Sequence, residues 1–172
     1  MKEQVSNLTN EEKEYYMSKA IRLAEQAGAL DEVPIGAVIV KDGEVIGEGY
    51  NLREHTRQAA SHAEMFAIEA ACKKLDSWRL EGAQLFVTLE PCPMCSGAML
   101  LSRVDEVYFG AADPKGGTAG TFMNLLDDDR FNHTAYVEGG ILEETCGQLL
   151  SSFFRELRAK KKAEKNKRKT SQ

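Results

Sequence analysis

The chain has 172 residues, 42% of them hydrophobic, which fits one domain whose core needs no disulfide staples. Its formal net charge of −5 argues mildly against a nucleic-acid enzyme, unless the cations are gathered on one face. No run of about 18 apolar residues occurs, so no transmembrane helix is expected, and the charged start, Met1-Lys2-Glu3-Gln4, leads us to expect no signal peptide. A cytoplasmic setting follows, in which the four cysteines are reduced thiols or metal ligands rather than disulfides.

Thr9-Asn10-Glu11-Glu12 reads as a capping box. Met17, Ala20, Ile21, Ala24 and Ala27 then recur at helical spacing, and Gly28 is a natural stop, which predicts a helix over residues 10–27. The short apolar run Ile35 to Val40 predicts a strand buried on both faces. Asp42-Gly43 is a hairpin turn into a second strand, Glu44 to Tyr50. The polar stretch Asn51 to Ala60 reads as a loop. From Ser61 the stripe Met65, Ile68, Ala71, Cys72 and Leu75 is helical. Gln84 to Leu89 is a third strand, Cys92 to Ser102 a helix, Glu106 to Gly110 a fourth strand and Thr134 to Val137 a weak fifth. A last helix, Ile141 to Lys162, carries Leu149, Leu150, Phe153, Phe154 and Leu157. This order predicts an α/β fold: a three-layer α/β/α sandwich with a mixed five-stranded sheet and helices on both faces. Residues 1–160 form the single domain, and 161–172 a basic, disordered tail. From Arg155 to Gln172 nine Lys or Arg stand against two Glu, so this end carries +7 and residues 1–154 carry −12. Such an end fits an anionic partner such as RNA, or simply a solubilising tail.

Chemistry is concentrated in two short strings. Ser61-His62-Ala63-Glu64 offers an imidazole and a carboxylate; Pro91-Cys92-Pro93-Met94-Cys95 offers two thiols at i and i+3, which share a helix face. His62, Cys92 and Cys95 make three ligands suited to one zinc ion, with the fourth position open for water. Glu64, two residues from a ligand, can take that water's proton and hand it to a leaving group. A rival reading makes Ser61-x-x-Glu64 a capping box, which claims the same carboxylate. His-x-Glu alone is a weak signal and Cys-x-x-Cys a moderate one. Together, in this order and each opening a helix, they form the H-x-E…P-C-x-x-C signature of zinc deaminases.

With these residues the chain resembles the bacterial tRNA-specific adenosine deaminases of the cytidine and deoxycytidylate deaminase superfamily. The likeness extends to Glu32-Val33-Pro34-Ile35-Gly36-Ala37, Asn51-Leu52-Arg53-Glu54, Ser77-Trp78-Arg79-Leu80, Thr88-Leu89-Glu90-Pro91, Asp113-Pro114-Lys115-Gly116-Gly117, Phe131-Asn132-His133 and Phe153-Phe154. It covers about residues 12–160; Pro93 departs from the aliphatic residue common there, but proline is tolerated in a first turn. The resemblance implies a cytidine deaminase-like fold, one zinc ion per subunit, and hydrolysis of adenosine to inosine at the wobble position of a tRNA anticodon. Water on zinc would attack C6 with Glu64 as proton shuttle. Asn51 would hydrogen-bond the flipped base, the Ala63 backbone would help read it and Ile35 would pack on its face. Phe154 and Arg158 would meet the anticodon stem-loop. A homodimer is implied, with no DNA and no membrane partner.

Blander readings compete at other positions. Cys72 and Cys146 read as small core residues, Trp78 as core packing and His55 as a solvated loop residue or at most an RNA contact. His133 is either a loop-ordering hydrogen bond or an anticodon contact. Three function classes stay open on the residues themselves: the tRNA deaminase, a deaminase of free guanine or cytosine, and a non-catalytic zinc module closed by Cys72, Cys146 or a second histidine. Arg53, Arg57, Lys115, Arg155 and Arg158 are the cations that would line an RNA face.

Overall fold

The computed structural model describes residues 5–171. Its elements are α1 (Asn10–Ala29), β1 (Gly36–Lys41), β2 (Glu44–Tyr50), α2 (Arg53–Thr56), α3 (Ala63–Leu75), β3 (Ala83–Leu89), α4 (Pro93–Leu101), β4 (Glu106–Ala111), β5 (Tyr136–Glu138) and α5 (Glu143–Thr170). The five strands form one sheet in the order β2-β1-β3-β4-β5.

Local signals set most of this. The Thr9 hydroxyl accepts from the Glu12 N–H at 3.1 Å while the Glu12 carboxylate accepts from the Thr9 N–H, so both halves of the capping box form. Asp42 and Gly43 both have positive φ (51° and 75°), as a two-residue turn between twisted strands demands. Period-two alternation then divides the core. Ala37, Ile39, Leu85, Val87 and Val107 face α3 and α4, while Val38, Val40, Phe86 and Tyr108 face α1 and α5. The result is the three-layer sandwich expected. Phe86 and Tyr108 stack with ring centroids 4.8 Å apart, a contact of about 0.5–1.5 kcal/mol beyond its burial.

Close approach fixes α3 on the sheet. A Cβ on Gly49 would fall on the Ala63 carbonyl, and one on Gly47 on the Ala67 carbonyl. Two glycines two residues apart thus let α3 lie directly against β2, and that sets where the start of α3 stands.

The structure departs from the sequence reading in several places. β1 lies between β2 and β3 and is antiparallel to both, so the antiparallel part of the sheet extends beyond the hairpin; only β3-β4 and β4-β5 are parallel. The expected loop after β2 contains the one-turn helix α2, whose Thr56 N–H donates to the Leu52 carbonyl at 2.9 Å. α1 runs two residues past its expected end. α5 continues to Thr170, through the segment whose composition marked it as a disordered tail. Its Ala, Lys, Arg and Glu are good helix formers, and cations in a last helical turn favour the dipole. Trp78 is not core: it is 54% exposed, with the Arg79 guanidinium 4.4 Å from its ring centroid. Cys146 is buried, as expected, and Cys72 partly so. Among the described residues no helix is long and apolar enough to cross a membrane.

Candidate active site

The two chemical strings meet at one end of the sheet. His62 is the N-cap residue of α3, extended at φ −84°, ψ 152°, and its side chain makes no capping bond. Cys92 is the N-cap of α4, with Pro93 at the first helical position, where a missing N–H costs nothing. Cys95 follows one turn on and is fully buried. The His62 Nδ1 lies 3.6 Å from the Cys92 Sγ and 3.5 Å from the Cys95 Sγ. In a tetrahedral zinc site, with Zn–N of about 2.0–2.1 Å and Zn–S of about 2.3 Å, nitrogen and sulfur stand about 3.6 Å apart. The triangle therefore has the dimensions of a zinc site. Among the described residues it is the one His, Cys, Asp and Glu group with metal-holding geometry.

Glu64 is 4% exposed and lines the same cleft as His62 and Cys92. The Ser61–Glu64 capping box does not form. The helix is capped one residue later, at His62, and the Ser61 hydroxyl is bonded to the Thr56 hydroxyl at 2.5 Å. A hydroxyl five residues upstream has taken the serine, and the carboxylate is left to the cleft. Burial pushes Glu64 above the usual carboxylate range. The Cys92 thiol is held down at about 4 by the hydrogen bond from Cys95, with His62 assisting against burial. Cys95 is pushed up, first because its S–H serves Cys92 and then by burial. The hydrogen bond to Cys92 raises His62. A thiolate, a thiol and an imidazole in contact are the donor set from which a divalent cation displaces protons on binding.

The cleft has about 250 Å³ of room. Ile35, Asn51, Ala63 and Phe154 all line it, beside Glu64, His62 and Cys92. Asn51 is 6% exposed; its Nδ2 donates to the Val33 carbonyl at 3.2 Å and its Oδ1 accepts from the Arg53 N–H at 3.1 Å. Those bonds fix the amide and leave one Nδ2 hydrogen and one Oδ1 lone pair for a ligand. Arg158 is exposed on α5 and is not part of the cleft lining.

Two carboxylates that the sequence reading passed over shape the walls. Glu32, with a fully buried side chain, accepts from the N–H groups of Glu54 (3.0 Å) and His55 (2.8 Å) and pairs with the His55 ring (2.7 Å), so it holds α2 beside Asn51. Glu90, 2% exposed, accepts from the N–H groups of Asp113, Ala119 and Thr121 and from the Thr121 hydroxyl. Both stand in strings that carry the family resemblance, but neither was given a role there. His133 donates from Nε2 to the Val104 carbonyl at 2.7 Å, the loop-ordering alternative. With His55 on Glu32 and Cys72 and Cys146 outside the cluster, neither thiol nor either other histidine closes the metal triangle into a structural site.

Comparison with known proteins agrees with this constellation. The model of the MafB19-like deaminase family matches residues 11–158. A tRNA-specific adenosine deaminase of Bacillus subtilis is 61% identical over 150 residues, 87% of this chain and 93% of the relative. A solved structure from work on A-to-I editing by tRNA:A34 deaminases at the wobble position of transfer RNA superposes with a TM-score of 0.76 at 40% identity, over 79% of this chain and 99% of that one. A guanine deaminase from Nitrosomonas europaea shares the fold at a TM-score of 0.71 and 25% identity, over 81% of this chain and 83% of its own. With 61% identity to the Bacillus subtilis enzyme over 93% of its length, and with the family model matched over residues 11–158, this chain belongs to the tRNA-specific adenosine deaminases within the MafB19-like deaminase family.

Proposed function

We propose that this protein converts adenosine to inosine at the wobble position of a tRNA anticodon, consuming water and releasing ammonia. The observation that carries the reading is the zinc-sized triangle of His62, Cys92 and Cys95 with the buried Glu64 beside it in one cleft. Zinc, when bound there, supplies a Lewis acid that brings the pKa of water from about 16 towards about 7. His62, Cys92 and Cys95 would hold it. Glu64 accepts the proton of the attacking water and returns it to the exocyclic nitrogen of the base, so that ammonia leaves. The remaining N–H and lone pair of Asn51 read the base edge, the Ala63 backbone assists at the start of α3, and Ile35 packs on the base face. Phe154 and Arg158 meet the anticodon stem-loop at the mouth.

A second copy of the chain completes the enzyme as a homodimer, and the protein works in the cytoplasm. The dimer reading is supported by α4, which exposes Met94 and Leu101 seven residues apart on one face, and by exposed Phe122 and Met123. Sedimentation at micromolar concentration tests it, a monomer refuting it. The function is tested by offering purified, zinc-loaded protein an anticodon stem-loop and a panel of free bases. Inosine in the stem-loop is expected. The fold shared with a guanine deaminase makes free-base deamination the second reading; turnover of guanine without turnover of the stem-loop adenosine would establish it instead.

A further inference from the structure

The C-terminal half of α5 is long, exposed and strongly charged, and the cleft does not use it. At about 100° per residue along a helix, Arg158, Lys161, Lys162, Lys165, Arg168 and Lys169 fall within about 60° of one line, and Phe154 starts that line. Phe154 itself lines the cleft. On the same helical count Glu156, Glu164, Lys160 and Lys167 lie on the other side of the helix. Lys160 is already engaged there, 3.6 Å from the Asp31 carboxylate at the end of α1. The stripe thus holds six of the nine cations between Arg155 and Lys169 and neither Glu156 nor Glu164. Every residue from Arg158 to Ser171 is exposed.

We infer that this stripe is a rail for the phosphate backbone of the folded RNA whose loop enters the cleft, so that recognition runs from Phe154 out along α5. From Phe154 to Lys169 the helix rises about 22 Å, at about 1.5 Å per residue. A duplex carries roughly one phosphate charge per 1.7 Å of its axis (the value for DNA), so a rail of that length spans about a dozen phosphates. Charge complementarity favours RNA as the occupant. Residues 1–154 carry −12 and repel a polyanion, while the +7 of residues 155–172 begins beside Phe154 at the cleft. Lysines and arginines spaced along a helix match a backbone rather than a base edge, so the rail contributes affinity and not sequence choice. This inference rests on the functional reading above.

The test compares the wild type with a stripe variant (Lys161→Gln, Lys162→Gln, Lys165→Gln, Arg168→Gln, Lys169→Gln), an opposite-face control (Lys160→Gln, Lys167→Gln) and a charge-conserving set (Lys161→Arg, Lys162→Arg, Lys165→Arg, Lys169→Arg). Each is titrated with an anticodon stem-loop and with the loop nucleotides alone, at several salt concentrations. The stripe variant is expected to bind the stem-loop about 10- to 100-fold more weakly, with a log–log salt slope shallower by about 2 to 4. Loop-only binding and kcat at saturation stay as in the wild type, and the arginine set retains full affinity. Equal losses in the control variant, or equal losses for stem-loop and loop, overturn the rail. Loss of binding to anionic vesicles with stem-loop binding intact assigns the stripe to a membrane surface instead. If the wild type deaminates the stem-loop and the stripe variant matches it throughout, only the rail fails. If the wild type does not act on the stem-loop at all, the functional reading fails with it.

Discussion

Glu90→Gln is the sharpest test of how the cleft wall is built. The Glu90 Oε1 accepts from the Asp113 N–H at 3.1 Å and from the Thr121 hydroxyl; the Oε2 accepts from the N–H groups of Ala119 (3.1 Å) and Thr121 (3.0 Å). No ion pair with a cation is seen at this carboxylate among the described residues, so three backbone N–H groups and one hydroxyl solvate it. The loop is also tied directly to the segment carrying the first cysteine: the Thr118 N–H donates to the Pro91 carbonyl at 2.9 Å. Glutamine keeps one oxygen but turns an NH₂ towards donors, which orphans one or two of them. Each buried orphan costs about 1–3 kcal/mol, and the surviving bonds lose their ionic strengthening. A loss of about 2–5 kcal/mol follows, and at about 2–4 °C per kcal/mol for a chain of this size the midpoint should fall by about 4–20 °C. Gly117→Ala attacks the same clasp from the other side, since a Cβ there would fall on the Glu90 carboxyl group. Thermal unfolding followed by circular dichroism, with hydrogen exchange at the Ala119 and Thr121 amides, reads both. A midpoint within about 2 °C of wild type for both variants, with Ala119 still protected, would refute the clasp.

Glu64→Ala should keep about one zinc per chain while kcat falls about 10²- to 10⁴-fold, as for a lost acid–base group; wild-type turnover would sink the proton-shuttle assignment. Gly49→Ala forces a methyl onto the Ala63 carbonyl and should cost at least about 1–3 kcal/mol, with weaker zinc retention because the start of α3 moves; unchanged stability and zinc content would show that α3 is not set by this contact. Burial works against ionisation of Glu32, but the N–H groups of Glu54 and His55 and the His55 ring outweigh it and hold its pKa below the usual value. Its contribution is therefore present above the unfolded carboxylate pKa of about 4.3 and lost as pH falls through the lower folded value, so Glu32→Gln should flatten the acid limb of a stability–pH curve; an acid limb as steep as the wild type's would contradict this.

What the sequence made legible was whatever is written in neighbouring letters. The Thr9–Glu12 cap, the Asp42-Gly43 turn and the two-sided strand β1 need only local partners, and all appear in the structure. The metal triangle was legible for a different reason: imidazole and thiolate chemistry admits few residue types, at short spacings. The string Ser61-x-x-Glu64 supported two readings, and only the fold, by giving Ser61 to Thr56, decided between them. Glu32 and Glu90 were missed because their partners are backbone N–H groups, which every residue except proline carries and no letter marks. They are also what separates the three buried acids at and beside the cleft. Glu32 is engaged by two N–H groups of α2 and the His55 ring, and Glu90 by three N–H groups and a hydroxyl of the loop after β4, and each ties that segment down. Glu64 is buried and lines the cleft, and its pKa is raised by burial rather than held down by a set of loop N–H donors. A carboxylate fully engaged by fixed donors is a structural anchor; one buried with few donors has oxygen left to take and return a proton. That difference in partners, added to its place beside His62, supports the proposal that Glu64 is the residue that moves the proton.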